Sequence, residues 1–235
     1  MTSFTYGAMG RAGKVLAALI FALFVFAGPV MAGAVKLVAF GDSLTAGYGL
    51  AQGAGFVPQL RAWLAAKGEA VELVQAGVSG DTTAGGLARL DWALGEDVQG
   101  IILELGANDA LRGLPPEEAR ANLRRMLEIC HEKGIAVLLV GVPVAGNFGP
   151  RYQTQFTAIW PDLAEQFDTL YYPDFFAGLG KTPSEALPLM QADGIHPNAK
   201  GVKLIVARIG PSVQALIQRI EARAGGDFSA KNRWE

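Results

Sequence analysis

Ser43 is the first residue of this chain whose surroundings could make it reactive. It lies in the segment Gly41-Asp42-Ser43-Leu44, directly after a short apolar run at 35–40. A serine between a strand end and a helix can expose its hydroxyl in a cleft, and Gly41 allows a sharp turn of the backbone. Because a serine hydroxyl is a poor nucleophile until a base removes its proton, the base must be sought elsewhere in the chain.

The chain contains two histidines that could act as this base. His131 lies at the end of a predicted helix, where the negative helix end favours an imidazole, so a structural role is expected. His196 follows Asp193 by three residues on a predicted loop, and an aspartate there can reach Nδ1 of the ring and leave Nε2 free. The same spacing also fits a helix N-cap, although Asn198 is better placed for that. The sequence therefore predicts a catalytic triad of Ser43, His196 and Asp193.

Two polar loops could supply hydrogen-bond donors for a negatively charged oxygen. Asn108 follows the predicted strand 101–105, and Gly80 follows the predicted strand 71–75. A loop asparagine often forms a turn, but at a strand end its amide can point into a cleft. Together with the Ser43 N–H, the Gly80 N–H and the Asn108 amide would make an oxyanion hole.

Strand-like and helix-like segments alternate along the chain, which predicts a single α/β domain with a mostly parallel sheet. Ligands of such sheets bind beyond the carboxyl ends of the strands, where the loops described above begin. The predicted strands are 35–40, 71–75, 101–105, 135–140 and 169–172, and the predicted helices are 56–67, 82–94, 116–134, 151–167 and 199–223.

In this order, the segments around Ser43, Gly80, Asn108 and His196 resemble the four signature blocks of the SGNH (GDSL) hydrolase family. They are most similar to the bacterial branch of thioesterase I, lysophospholipases and arylesterases, over nearly all of residues 35–216. The resemblance implies a flavodoxin-like three-layer α/β/α sandwich with a five-stranded, mostly parallel sheet. It also implies cofactor-free hydrolysis of carboxylic esters and thioesters, and of lysophospholipids in some members.

Apolar residues beside the predicted site are candidates for binding the acyl group of a substrate. Leu111 follows the Asn108 loop, and Phe148 and Phe156 follow the fourth predicted strand. Ordinary packing remains the alternative for the two phenylalanines. A hydrophobic pocket separates neighbouring chain lengths by only about 1–3 kcal/mol per methylene, so a broad acyl preference is expected.

Composition restricts the partners of this protein. Hydrophobic residues make up 51% of the chain and charged residues 18%, which is typical of a folded domain. The net charge of -2 and the lack of a Lys/Arg cluster argue against nucleic acid as a partner. Cys130 is the only cysteine, so no internal disulfide or thiolate metal cluster is expected. We predict a small-molecule or lipid ester substrate, with no metal and no cofactor; the oligomeric state is left open.

The N-terminal residues have the layout of a secretory signal peptide. Residues 1–14 contain two basic residues and no acidic one, and an apolar run follows at 15–27. This run is shorter than the roughly 20 residues that span a bilayer, although an uncleaved anchor is the alternative. We predict a signal peptide at 1–32, cleaved after Ala32 or Ala34, a hydrolase domain at 33–223 and a flexible tail at 224–235. Export is expected, and the family resemblance favours the periplasm.

Other residues and other classes of protein are compatible with parts of this pattern. Asp42, Asp81 and Asp109 could replace Asp193 in the triad, but each adjoins another motif and is expected to brace its own loop. No serine lies in the Gly-x-Ser-x-Gly frame of common α/β-hydrolases. An acyltransferase would use the same acyl-enzyme with an alcohol acceptor, and a non-catalytic periplasmic binding protein could share the fold.

Overall fold

The computed structural model describes residues 33–231, which form an α/β domain around a five-stranded sheet. The strands are β1 Val35–Gly41, β2 Val71–Gly77, β3 Gly100–Glu104, β4 Ala136–Val140 and β5 Leu170–Tyr172. All four strand pairings are parallel, and the strand order is β2-β1-β3-β4-β5. The predicted α/β fold with five strands is therefore confirmed, with a sheet that is parallel throughout.

The central strands are buried on both faces of the sheet. Every residue of β3 and β4 is buried, and both strands are apolar runs, as parallel strands covered by helices on both sides generally are. The exception is Glu104, a charged residue at the carboxyl end of β3. This end of the sheet is where a binding site is expected.

Helices cover both faces of the sheet and complete the expected three-layer sandwich. The helices are α1 Ser43–Ala46, α2 Phe56–Ala66, α3 Thr83–Ala93, α4 Ala107–Leu111, α5 Pro116–Glu132, α6 Pro150–Thr157, α7 Ile159–Gln166, α8 Pro183–Ala186 and α9 Ala199–Lys231. Helices α2 and α9 pack together on one face, and α3, α5 and α7 form the other layer.

The predicted single helix at 151–167 is two helices, separated at Ala158. Pro161 explains the break, because it has no N–H to donate to residue 157 and its ring would clash with that carbonyl. One continuous helix was therefore the wrong prediction for this segment.

The described part of the chain begins at residue 33 and ends within the last helix, at residue 231. The last helix extends to Lys231, past its predicted end at 223, so it overlaps the predicted tail; residues 232–235 lie outside the described part. The predicted signal peptide at 1–32 also lies outside it. Within residues 33–231, no helix combines the length and the apolar character that crossing a membrane requires.

Candidate active site

Ser43 is the first residue of α1, directly beyond the carboxyl end of β1. The Asp42 carboxylate caps this short helix by accepting a hydrogen bond from the Leu44 N–H at 2.9 Å. A larger residue could not replace Gly41, because a Cβ there would lie 2.6 Å from the carbonyl oxygen of Glu104 on the adjacent strand. The glycine and the cap hold a tight turn, and Ser43 lines the large cleft above it.

The structure brings Ser43, His196 and Asp193 into one chain of hydrogen bonds. The Oγ atom of Ser43 lies 2.8 Å from Nε2 of His196, although the two residues are 153 positions apart in the sequence. Nδ1 of the same ring lies 2.7 Å from Oδ2 of Asp193. The histidine ring is thus held between a hydroxyl and a carboxylate, in the order that proton transfer from the serine requires.

Asp193 is held in its ionised form. Its Oδ1 accepts backbone N–H groups from His196 at 3.0 Å and Ile195 at 2.9 Å. The His196 N–H, the His196 ring and the Ile195 N–H together lower the pKa of Asp193 to about 2. An ionised carboxylate only accepts hydrogen bonds, so Nδ1 of His196 must be the donor. In the neutral ring, Nε2 is then free to accept the Ser43 proton.

Gln191 connects the segment that carries Ser43 with the loop that carries His196. Its Nε2 donates to the carbonyl oxygens of Tyr48 at 2.8 Å and Pro197 at 3.1 Å. Its backbone N–H donates to the His196 carbonyl at 2.7 Å. One side chain therefore bridges two parts of the site that are distant in sequence.

Asn198 forms the N-cap of α9, as its sequence position indicated. Its Oδ1 accepts the backbone N–H groups of Lys200 at 3.0 Å and Gly201 at 3.1 Å. Asp193 is consequently not needed as a cap and remains bound to His196.

The predicted oxyanion-hole residues Ser43, Gly80 and Asn108 line the same cleft. The Ser43 N–H is in the first turn of α1, where it has no partner within the helix. Gly80 has φ +85°, a left-handed conformation that favours glycine. Among the hydrogen bonds of residues 33–231, neither the Ser43 nor the Gly80 N–H is a donor. Both are therefore available to a ligand.

Asp42 orients the side chain of Asn108. Nδ2 of Asn108 donates one hydrogen to Oδ2 of Asp42 at 3.0 Å. The amide nitrogen has two hydrogens, so the second is free to bind an oxygen in the cleft. The same carboxylate thus caps the helix of Ser43 and aims the Asn108 amide.

A second carboxyl group, that of Glu104, is buried next to Asp42. Neither carboxyl forms an ion pair within residues 33–231. Burial raises the pKa of Asp42 to about 6. Burial and then the negative charge of Asp42 raise the pKa of Glu104 well above its ordinary value, so the fold favours the protonated form of this carboxyl.

The Glu104 side chain contacts the helix that carries Ser43. Thr45 Oγ1 lies 2.8 Å from Oε2 of Glu104, whereas Oε1 has no hydrogen-bond partner among the described residues. Glu104 is not among the predicted site residues. The signal that marks it is a single charged residue at the end of an otherwise apolar strand.

The other two rival carboxylates brace loops, as expected. Asp81 forms an ion pair with Arg89 at 2.6 Å. Asp109 is buried and accepts hydrogen bonds from the Thr83 N–H at 2.8 Å and the Thr83 hydroxyl at 2.6 Å. Both contacts tie the loops of Gly80 and Asn108 to helix α3.

The cleft above Ser43 has a volume of about 890 Å³. Leu111, a predicted substrate contact, lines it and is half-exposed. Several lining residues were not predicted from the sequence, although two of them directly follow β4. These additional apolar residues are Tyr48, Ala110, Val142, Pro143, Phe176 and Leu179.

The two phenylalanines proposed as substrate contacts lie outside the lining of the cleft. Phe156 is fully buried between the rings of Tyr152 and Trp160, at centroid distances of 5.5 and 5.7 Å. These three aromatic residues are spaced by four positions, so they form one helical stripe that faces the core. Phe148 packs on Tyr152 instead, with the centroids of the two rings 5.2 Å apart. Both phenylalanines therefore pack against other aromatic side chains, which is the alternative to substrate binding given above.

No group of three or more His, Cys, Asp or Glu residues within 33–231 is arranged to hold a metal ion. Cys130 is buried, and burial raises the pKa of its thiol to about 12.

The parallel sheet, and the Ser–His–Asp series beside it, define a hydrolase of the serine type with an α/β fold. Residues 39–204 match the GDSL-like Lipase/Acylhydrolase family, and the chain belongs to this family. This match spans all of the site residues discussed above.

Characterised relatives agree with this assignment. The chain is 37% identical to Esterase TesA of Pseudomonas aeruginosa over 187 residues, covering 79% of this chain and 91% of that one. It is 37% identical to an Arylesterase of Vibrio mimicus, covering 69% and 80%. It is 35% identical to Thioesterase 1/protease 1/lysophospholipase L1 of Escherichia coli, covering 79% and 86%.

Solved structures show the same fold. The crystal structure of TesA superposes with a TM-score of 0.71 at 37% identity, covering 77% of this chain and 99% of that one. The psychrotrophic esterase EstA from Pseudoalteromonas sp. gives a TM-score of 0.72 at 30% identity, covering 78% and 98%. The protein is a carboxylic ester hydrolase.

Proposed function

We propose that the protein hydrolyses esters through a covalent acyl-enzyme formed on Ser43. The observation that carries this proposal is the hydrogen-bonded series from Ser43 Oγ through the His196 ring to Asp193, with distances of 2.8 and 2.7 Å. This series opens into the apolar cleft. It supplies a nucleophile, a base and a group that orients the base.

In the first half-reaction, Ser43 attacks the ester carbonyl carbon. As the new bond forms from Oγ, its proton moves to Nε2 of His196, and the negative charge of Asp193 stabilises the resulting imidazolium. The carbonyl oxygen becomes an oxyanion that accepts hydrogen bonds from the Ser43 N–H, the Gly80 N–H and the Asn108 amide. Each donor of this kind typically contributes roughly 10²–10³ in rate.

The imidazolium then protonates the leaving alcohol, and the bond between this oxygen and the carbonyl carbon breaks. In the second half-reaction, His196 takes a proton from water, which attacks the acyl group on Ser43. A second tetrahedral intermediate collapses, the acid leaves, and Ser43 recovers its proton from the histidine.

We assign the acyl group of the substrate to the apolar part of the cleft. Leu111, Val142 and Pro143 line the side reached from the ends of β3 and β4. An apolar cleft discriminates only weakly between neighbouring acyl lengths, so a broad acyl preference is expected. Thioesters and lysophospholipids have the same acyl carbonyl and are further candidate substrates, and the name of the Escherichia coli relative, Thioesterase 1/protease 1/lysophospholipase L1, agrees with this.

The test is hydrolysis of p-nitrophenyl esters of increasing acyl length by the wild type and by Ser43→Ala. We expect turnover by the wild type, loss of at least roughly 10³-fold in the variant, and labelling of the wild type alone by a fluorophosphonate. Addition of an alcohol distinguishes hydrolysis from acyl transfer through the ratio of acid to new ester. A folded wild type that neither turns over nor is labelled would contradict the proposal.

We also propose that the protein is exported, on the basis of the basic and apolar pattern of residues 1–32. Expression of the full chain in a Gram-negative host, followed by fractionation and N-terminal sequencing, tests this. A periplasmic product that begins at Gly33 or Val35 is expected, and an intact N-terminus in the cytoplasmic fraction would contradict export.

A further inference from the structure

Arg89 is a charged residue of helix α3 whose side chain is largely buried. Its guanidinium carbon lies 4.0 Å from the centroid of the Phe40 ring, and only 20% of the side chain is exposed. An arginine does not give up its charge in a protein, so burying it is costly unless its N–H groups find partners. The partners of Arg89 therefore show which parts of the fold this side chain joins.

These partners lie on two different segments at the carboxyl end of the sheet. Nη2 of Arg89 donates to the carbonyl of Gly41, the last residue of β1, at 2.9 Å. Nη1 donates to the carbonyl of Ala76 in β2 at 2.8 Å, and Nε donates to Oδ2 of Asp81 at 2.6 Å. Because the guanidinium group is planar and rigid, it fixes the directions of these bonds relative to one another.

The same two segments carry the backbone donors proposed for the oxyanion. Gly41 precedes Ser43 by two residues, and Asp81 directly follows Gly80. The N–H groups of Ser43 and Gly80 must both reach one oxygen atom, at about 2.7–3.1 Å. A shift of one segment against the other would lengthen one of these hydrogen bonds, even if the nucleophile and its base stayed in contact.

Few other contacts hold the loop of Gly80 in place. Residues 78–80 are exposed, so burial does not fix their position. The first of them donates its N–H to the Gly41 carbonyl at 3.0 Å, and the exposed side chain of Arg112 donates to the Gly80 carbonyl at 2.8 Å. Among the contacts of this loop within the described residues, the ion pair of Asp81 with Arg89 is the one made by a largely buried charge.

We infer that Arg89 is a positioning residue of the oxyanion hole, and that its guanidinium group sets the spacing between the Ser43 N–H and the Gly80 N–H. This inference rests on the proposed function, because the spacing matters only if an oxyanion forms on the substrate. Arg89 lies outside the lining of the cleft and does not touch the substrate. Its effect therefore belongs to the transition state and not to the binding of the ester.

The test measures kcat and KM on a p-nitrophenyl ester for Arg89→Met and Arg89→Lys. Methionine is also unbranched and can pack on Phe40, but it donates no hydrogen bond. Both half-reactions pass through an oxyanion, so kcat should fall roughly 10- to 100-fold, the cost of a misplacement by about 1 Å, with KM within about twofold. Lysine keeps the charge but not the planar fork, so its kcat should lie between those of Arg89→Met and the wild type.

The pH dependence of kcat/KM separates this role from a general disturbance of the site. The rate rises as His196 loses its proton, and the ring of His196 contacts Ser43 and Asp193 but not Arg89. Because Arg89→Lys retains the positive charge, its inflection pH should equal that of the wild type, with only the plateau lowered. A shifted inflection would mean that the histidine itself has moved, and would overturn the assignment.

Arg61→Met is the matched control. Arg61 on α2 donates from Nε at 2.8 Å and from Nη2 at 2.5 Å to the carbonyl of Leu73 in β2, and it lies outside the cleft. Its loss should change the melting temperature but not kcat. Should Arg89→Met fail to fold because Asp81 is left unpaired, Asp81→Asn/Arg89→Met removes that charge and carries the same expectation.

Three results would overturn the inference: a wild-type kcat in Arg89→Met, a raised KM with kcat unchanged, or an equal loss of kcat in Arg61→Met. The proposed function can fail separately. If Ser43→Ala retains hydrolysis, the acyl-enzyme mechanism is wrong. If hydrolysis depends on Ser43 and kcat is insensitive to Arg89, only the positioning role of Arg89 is wrong.

Discussion

At the scale of single residues, Asp42 links two parts of the proposed site. Its Oδ1 accepts the Leu44 N–H and its Oδ2 accepts an Asn108 amide hydrogen. It does not touch the substrate position itself, so we regard it as a positioning residue. Asp42 directly precedes the proposed nucleophile in the segment Gly41-Asp42-Ser43-Leu44. Its positioning role gives a physical reason for an aspartate at this place in the segment.

Asp42→Asn keeps the size of the side chain but replaces one acceptor oxygen by a donor. An NH₂ group facing the Asn108 amide would repel it and turn its free hydrogen away from the oxyanion. We expect kcat to fall by roughly 10², with little change in KM for the ground-state ester. Steady-state kinetics on a p-nitrophenyl ester, with Asp162→Asn on the surface as the control, measure this; a wild-type kcat would exclude the positioning role.

Glu104 makes stability depend on pH. Its pKa lies well above the ordinary value of 4.5 in the folded protein, so the folded state keeps a proton that the unfolded chain loses above this pH. The unfolded state then binds fewer protons, and stability must fall as the pH rises above 4.5. The loss ends when the pH passes the folded-state pKa.

Glu104→Gln replaces the protonated acid by a neutral side chain of the same size and removes this loss. Relative to the wild type, the variant should become more stable as the pH is raised above 4.5, by at most about tenfold in the folding equilibrium for each pH unit. Urea unfolding at several pH values measures the difference. Glu96→Gln on the exposed surface is the control, and a difference independent of pH would contradict the assignment.

At the scale of elements, the nucleophile turn and the histidine loop must be held against each other. Gln191 does this by donating from one nitrogen to the carbonyls of Tyr48 and Pro197. A similar contact exists elsewhere in the fold. There, Gln59 Nε2 donates to the carbonyls of Ala54 at 2.7 Å and Ala199 at 3.0 Å.

Gln191→Glu should lower kcat by about 10-fold to 100-fold, because a carboxylate cannot donate to either carbonyl and a shift of the loop by about 1 Å is costly to catalysis. Gln59→Glu removes the same kind of double hydrogen bond outside the proposed site. Melting temperature and steady-state kinetics of both variants separate the effects. Equal losses of kcat in the two variants would mean that Gln191 has a structural role only.

At the scale of the whole molecule, the strand order decides where the site lies. From β1 the chain crosses to β2 on one side and later returns to place β3 on the other side. The loops after β1 and β3 therefore diverge and leave a crevice at this switch point. Ser43 and Asn108 lie in the short helices α1 and α4 that follow these two strands, on either side of the crevice.

The division between core and cleft gives a prediction for acyl specificity. Leu111→Ala should shift the preference toward longer acyl chains with little effect on stability, because this side chain is half-exposed in the cleft. Phe156→Leu should cost about 1–3 kcal/mol of stability, because it leaves a cavity in the core. It should not change the acyl-length profile. Urea unfolding and rates on a series of esters measure both effects, and a changed profile in Phe156→Leu would return this residue to the substrate site.

Much of the fold follows from local features of the sequence. Alternating apolar runs and amphipathic segments predict the strands and most helices. The reason is that apolar residues facing a buried core recur with the period of the strand or helix that carries them. Ser43 at a strand end, and Asp193 three residues before His196, are also local patterns. Turn chemistry and short spacing restrict what these residues can contact.

The tertiary structure decided the features that depend on distant parts of the chain. The contact of Ser43 with His196 spans 153 positions, and the burial of Glu104 depends on how β3 lies against β1 and α1. Whether Phe156 faced the cleft or the core depended on the elements packed around its helix. Sequence spacing specifies which residues share one face of an element. Only the packing of elements specifies what that face meets.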